Sequence, residues 1–350
     1  MSNTVADPPR TLTFHPERVY FEPRALAYPL GREIYAQASA LGLEIRETTS
    51  HNQIRDLPGE TPVERYWEAK RTLVVGVRKG TQFQTSRPSA DFQFPLATGC
   101  PGHCHYCYLN TNLSNKPYVR IYANIEELLA LADRHAAERA PAPTTFDGSC
   151  TSDPLAIEAW GQGLRHAIPH FAHTPMASFR FVSKYTAVEP LLDLEHNGRT
   201  RVRFSVNGRS AAAQFEKGVP RVPRRIEAAA RVAGAGYRMG FLVAPVIAAP
   251  GWEEEYRELL ETIADLDAWR GNDLRFEVVL HRFTPRAKAT IEAVYPSSAL
   301  EMDESSRRWK WGQFGYGKYL YDKDVYHSVE AFFRAAIAEL FPYAELDYIV

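Results

Sequence analysis

Three cysteines stand within eight residues, in the run Ala97-Thr98-Gly99-Cys100-Pro101-Gly102-His103-Cys104-His105-Tyr106-Cys107-Tyr108. The chain holds only one more, Cys150. A secreted disulfide framework spreads its cysteines through the chain, whereas a tight cluster in a reducing compartment more often binds metal. No stretch approaches the roughly 18 consecutive apolar residues of a membrane span. Residues 1–10 lack the apolar core of a signal peptide. These features lead us to expect a cytoplasmic protein with no membrane association. Acids and bases nearly cancel, to a net charge of -1, which argues against a histone-like or tail-driven nucleic-acid binder but leaves room for a local basic face.

Around the cluster, strand and helix patterns alternate. Strands are expected at 92–96, 144–146, 178–182, 201–206, 237–246 and 274–280. Helices are expected between them at 125–139, 156–167, 188–194, 223–235 and 252–269. Such alternation reads as successive βαβ units around a parallel sheet. Six units fall short of the eight that close a complete barrel, so the expected fold is α/β, a partial open (β/α)6 barrel. The boundaries expected are a tail without fixed structure at 1–16, an N-terminal α/β segment packed on the barrel at 17–90, the barrel at 91–281 and a C-terminal region at 282–350. Within the N-terminal segment a helix is expected at 32–41 and a strand at 72–77. The C-terminal region should hold a glycine-rich aromatic hairpin at 309–321 and a final helix at 328–340.

The cysteine spacing is CxxxCxxC, directly after the first barrel strand. Active sites of α/β barrels lie at that end of the strands. A cubane cluster has four irons, and thiolates normally cap all of them. Three local cysteines leave one iron with an open position, which catalysis at a metal requires. With aromatic Tyr106 just before the last cysteine, the segment resembles the signature of the radical S-adenosylmethionine (SAM) superfamily. That resemblance implies a 4Fe–4S cluster on Cys100, Cys104 and Cys107. SAM would fill the open site and yield a 5′-deoxyadenosyl radical on reduction. The competing reading is a structural zinc site completed by His103, His105 or Cys150.

Cys150 follows the second expected strand in Phe146-Asp147-Gly148-Ser149-Cys150-Thr151-Ser152-Asp153. Its own residues leave two readings open, a packing cysteine or a functional thiol at the barrel mouth. The combination of 97–109, 150–153, 181–185, 203–207 and 312–321 with Val19-Tyr20-Phe21-Glu22-Pro23, Thr49-Ser50-His51-Asn52-Gln53 and Val232-Ala233-Gly234-Ala235-Gly236-Tyr237 resembles the spore photoproduct lyase family. The resemblance runs from about Arg18 to the C-terminus. It implies a DNA repair lyase that reverts 5-thyminyl-5,6-dihydrothymine to two thymines. It further implies that Cys150 is the hydrogen-atom donor and that Tyr106 and Tyr108 relay a hydrogen atom. Ser152, Lys184 and Ser205 fall where the family contacts SAM or shapes its pocket. Family members act as monomers and take an electron from a donor such as flavodoxin or ferredoxin. Two alternatives remain at this point: a radical SAM enzyme with another substrate, and a non-enzymatic zinc or iron–sulfur DNA-binding protein.

A lesion inside a duplex must be extruded before chemistry can reach it. The hairpin tip, with Phe314, Tyr316 and Lys318, is expected to supply stacking surfaces and a phosphate contact. Between 199 and 238, ten basic residues stand against only Glu216 and Glu227. This run is expected to form a basic surface for phosphates, with Arg221 and Arg224 in contact.

Overall fold

The computed structural model describes residues 12–111, 116–312, 315 and 317–350. Six parallel strands, Ala90–Gln93, Thr144–Asp147, Ala177–Ser183, Thr200–Val206, Arg238–Val246 and Arg275–Leu280, lie side by side in chain order. The short antiparallel strand Thr85–Ser86 and the parallel C-terminal strand Glu345–Ile349 form the two ends of this eight-stranded sheet. With its ends unjoined among the described residues, the sheet is a partial open barrel, as the alternation predicts. The helix Ile125–Arg139 fills its expected range and buries Ile125, Leu128, Leu129, Ala132 and Ala136, the spacing of one helical face.

Several elements differ from expectation. The helix expected at 156–167 is broken at Gln162, which takes a left-handed φ of 47° between two shorter helices. The Glu158 carboxylate accepts from the backbone N–H groups of Leu164 and Arg165, so it caps the second piece and fixes the break. Only a short 3-10 turn, Glu189–Leu191, occupies the helix expected at 188–194. The final helix starts earlier, at Lys323, where the Asp322 side chain accepts from Val325 N–H. Nor are residues 12–16 loose: Phe14 is buried, its carbonyl accepts from Trp160 Nε1, and Thr13 Oγ1 donates to the Ala156 carbonyl.

A second sheet of five strands was not legible in the alternation. Glu44–Glu47, Arg18–Phe21, Thr72–Gly76 and Val119–Tyr122 run parallel, and Ala97–Thr98 adds an antiparallel edge. The N-terminal segment therefore takes two of its strands from within the range expected for the barrel. The last of them leads straight into the cysteine run, so the cluster loop lies at the seam of the two sheets.

Candidate active site

The cysteine loop is clipped on three sides. Gly99 bridges Ser152, and its N–H donates to the Thr151 carbonyl at 2.8 Å. Gly99 has a φ of 85°, and a Cβ there would lie 2.5 Å from the Tyr118 carbonyl oxygen, so only glycine fits. On the opposite side, His103 N–H donates to the Lys217 carbonyl and His105 N–H to that of Phe215. Gly218 makes this approach possible, since a Cβ on it would sit 2.7 Å from the His103 ring. From below, Lys70 donates to the Cys100 carbonyl, to the Gly102 carbonyl and to Asn110 Oδ1. Asn110 Nδ2 in turn donates to the Cys104 carbonyl at 3.0 Å.

Cys104 is buried, and Cys100 and Cys107 are partly so. Burial pushes all three thiols up, Cys100 to about 12. The three act on one another electrostatically, yet no three His, Cys, Asp or Glu groups among the described residues close around one ion. Two of the proposed zinc partners, His105 and Cys150, are engaged elsewhere, while the buried His103 Nδ1 has no hydrogen-bond partner among the described residues. His105 Nδ1 lies 2.8 Å from Ser298 Oγ, His103 rests against Trp67, and Cys150 Sγ lies 2.9 Å from Ser86 Oγ.

Beside the loop, six of the expected residues fall into two groups. Lys184 Nζ donates to Ser205 Oγ at 2.7 Å and to Glu216 Oε1 at 3.1 Å, and it lies 5.8 Å from the centre of the Tyr106 ring. The Tyr106 hydroxyl donates to the same carboxylate oxygen. Burial alone would raise Glu216, but Lys184, Arg225 and the Tyr106 hydroxyl hold it down to about 2. Ser152, at the bridge to Gly99, has a buried hydroxyl oxygen with no hydrogen-bond partner. A buried hydroxyl without a partner can still take a hydrogen bond from a polar ligand.

Tyr108 belongs to the other group. Its hydroxyl donates to the Cys150 carbonyl at 2.6 Å. The two tyrosine hydroxyls thus have separate partners: Tyr106 stands with the lysine, Tyr108 with the fourth cysteine. Burial, with Asp147 nearby, pushes the Cys150 thiol up to about 12, so at neutral pH it keeps its S–H.

The full-length likeness to known proteins is consistent with this site. A family model described as spore photoproduct lyase matches residues 14–350. The chain belongs to the spore photoproduct lyase family. The spore photoproduct lyase of Bacillus subtilis (strain 168) is 49% identical over 336 residues, which cover 96% of this chain and 98% of that protein. A spore photoproduct lyase solved in complex with dinucleoside spore photoproduct superposes with a TM-score of 0.93 at 48% identity, covering 97% of this chain and all of that one. A doubly substituted spore photoproduct lyase, solved with bound AdoMet (SAM) and the same dinucleoside, also gives a TM-score of 0.93, at 47% identity and the same coverage.

Of the ten basic residues expected to form a surface at 199–238, three are buried and seven are exposed. Arg201, Arg203 and Arg225 are buried and paired with Asp273, with Asp147 and Glu277, and with Glu216. Arg209, Arg231 and Arg238 also meet acids. Arg221 and Arg224 are exposed at the start of the helix Val222–Gly234, and Arg224 pairs with Glu227 at 3.1 Å. Apart from Glu216 and Glu227, those acids lie outside the run, where a local charge count cannot see them. The hairpin exists, as antiparallel Arg307–Trp311 and Gly317–Tyr321. Phe314 and Tyr316 lie outside the described residues. Lys318 pairs across the ladder with Lys310, and burial, then Arg282 and Lys310, pulls its pKa down to about 8.

Sequence reasoning missed Glu216, Lys70 and Ser86. Glu216 had a faint signal, as one of two acids in a basic run. Lys70 and Ser86 had none, because neither belongs to a motif.

Proposed function

We propose that this chain is a radical SAM lyase that reverts 5-thyminyl-5,6-dihydrothymine to two thymines by a carbon–carbon bond cleavage, with Cys150 as hydrogen-atom donor. Family membership supports the activity, and the relative solved with both AdoMet and the dinucleoside lesion supports the cofactor and substrate class. Cys100, Cys104 and Cys107 would hold a 4Fe–4S cluster, leaving one iron for SAM. Bound together, cluster and SAM supply a hydrogen-atom acceptor, the 5′-deoxyadenosyl radical. Lys184, held between Ser205 and Glu216, would bind the SAM carboxylate, with Ser152 and Tyr106 completing the pocket. The substrate would be DNA carrying the lesion, met by Lys318, Phe314 and Tyr316 of the hairpin and by Arg221 and Arg224. A one-electron donor such as flavodoxin or ferredoxin would serve a monomer in the reducing cytoplasm. No helix among the described residues is long and apolar enough to cross a membrane.

The observation that carries the assignment is the state of Cys150. Its Sγ lies 2.9 Å from Ser86 Oγ, its carbonyl accepts from the Tyr108 hydroxyl, and burial pushes the thiol's pKa up. A hydrogen-atom donor needs that S–H bond, where a nucleophile or metal ligand needs a thiolate. After the lesion bond breaks, the thiol would quench the thymine methyl radical, and Tyr108 or Tyr106 would return a hydrogen to the sulfur. Cys150→Ala should therefore still consume SAM and lesion, while the unquenched radical is trapped, by dithionite-derived sulfur dioxide radical for example. Mass spectrometry should find a thymine sulfinate adduct. Clean repair at the parent yield would return Cys150 to a packing role.

A further inference from the structure

Lys70 is the last residue of the helix Pro62–Lys70 and is 2% exposed. A lysine at a helix C-terminus ordinarily reaches back to the helix carbonyls or out to water. This one does neither. Its Nζ donates to the Gly102 carbonyl at 2.5 Å, to Asn110 Oδ1 at 2.9 Å and to the Cys100 carbonyl. Asn110 presents its oxygen because its nitrogen is committed to the Cys104 carbonyl. Three acceptors around one nitrogen require three N–H donors, which only the ammonium form has. A full positive charge therefore lies buried under the cysteine loop, bonded only to neutral oxygens.

Such a charge is costly unless a negative one compensates it. Among the described residues, no carboxylate forms an ion pair with Lys70. Burial pulls the pKa of Lys70 down, and the ionisable groups that act against that loss of charge are the thiols of Cys100, Cys107 and Cys104. As neutral thiols they compensate nothing. As thiolates on iron they do, since three thiolates outweigh an oxidised cubane core by one negative charge.

We infer that Lys70 is the buried counter-ion of the iron–sulfur cluster and raises its reduction potential. This rests on the cluster reading given above. One-electron reduction adds a second net negative charge to the cluster. A fixed cation nearby favours that state over the oxidised one, because the Coulomb attraction grows with the charge. The N-terminal segment thereby supplies a group that acts on the cluster as well as a scaffold. Lys70 is a positioning and tuning residue, since it touches the ligand loop and not the substrate.

The test is an EPR-monitored redox titration of the anaerobically reconstituted full-length protein, with dithionite as the one-electron reductant. Lys70→Met keeps the stem and removes the charge. At the parent's midpoint, the ratio of reduced to oxidised cluster should fall about tenfold, a midpoint about 59 mV more negative for a one-electron couple. Lys70→Arg, which keeps the charge, should stay near the parent. A Lys70→Met protein that binds iron normally and keeps the parent midpoint overturns the inference. If Lys70→Met does not fold, Asn110→Asp sets a carboxylate against the ammonium at nearly unchanged volume. Its midpoint should fall too, and an unchanged one is equally fatal. A parent that assembles no cluster would instead sink the cluster reading itself.

Discussion

The two parallel sheets differ in what their strands present. In the five-stranded sheet one face is apolar and the other mostly so, with Arg46 and Arg120 in register beside Tyr20 and Val74. Val19, Phe21, Leu73, Val75 and Ile121 join the main core, while Tyr20, Val74 and Tyr118 pack with Ile54, Leu57 and Ala69 on the other side. In the eight-stranded sheet only one face is apolar. Phe179, Phe181, Val202, Phe204, Phe276 and Val278 join the core, and alternate positions place Arg180, Arg203, Asp147 and Glu277 in a buried ion network. Parallel sheets covered on both sides usually read as continuous apolar runs. A charged inner face is expensive to bury unless each group is paired and hydrogen-bonded. Its presence sets this sheet apart from the more apolar one, and the proposed SAM residues Lys184 and Ser205 lie at or just beyond the ends of its strands. The cluster loop belongs to neither alone.

Substitutions can break this division of labour. The largest effect is expected at the seam. Cys104→Ala should abolish SAM cleavage, because a second iron would lose its ligand. Assays for 5′-deoxyadenosine with reconstituted proteins decide this, and normal turnover would refute the ligand assignment. In the polar sheet, Arg203→Met leaves Asp147 and Glu277 without their shared partner. It should cost about 3–5 kcal/mol of stability and also alter repair per folded molecule, measured by denaturant titration and product yield. In the scaffold sheet, Leu73→Ala should cost about 2–5 kcal/mol with repair per folded molecule unchanged. A loss of repair there beyond the loss of fold would blur the two roles.

A subtler effect concerns Glu216. Its folded pKa of about 2 lies below the ordinary carboxylate value of about 4.3. Such a group adds stability at neutral pH, and the contribution is lost as pH falls from about 4.3 towards 2. Thermal midpoints measured across that window should fall less steeply for Glu216→Gln than for the parent. An identical slope would mean the pairing with Lys184 and Arg225 carries no net stabilisation. The smallest effect is expected outside both sheets. Charge reversal of Arg221 with Arg224 should weaken lesion-duplex binding and reduce its salt dependence by about one unit of slope per phosphate lost. SAM cleavage on a dinucleotide should remain at the parent level. Unchanged binding would return both arginines to solvent.

Local patterns were legible where one stretch of chain contains its own cause. The spacing of Cys100, Cys104 and Cys107 declares a metal loop, because three thiolates so close have little other use. The six barrel strands were legible because apolar runs separated by helical periods mean βαβ units. The apolar helix 125–139 was read at its full extent. Strands Arg18–Phe21, Glu44–Glu47 and Val119–Tyr122 went unread, since four residues are too few to show a period. The roles of Cys150, Lys184 and Ser205 entered through resemblance, and their own neighbours would not have named them.

Contacts across long separations were decided only by the tertiary structure. Tyr106 and Glu216 are 110 positions apart, and Arg180 and Glu277 are 97 apart. A charge count along the chain put Arg201, Arg203 and Arg225 on a basic surface, whereas folding buries them against Asp273, Glu277 and Glu216. Whether a cation is solvated, paired or left alone under a loop depends on which segments the fold brings beside it. Sequence determined that this chain can hold a metal loop at the mouth of a partial barrel. Only the packing of a second sheet against that loop decided that the ammonium of Lys70 would be the charge beneath it, because burial and pairing are properties of neighbours in space.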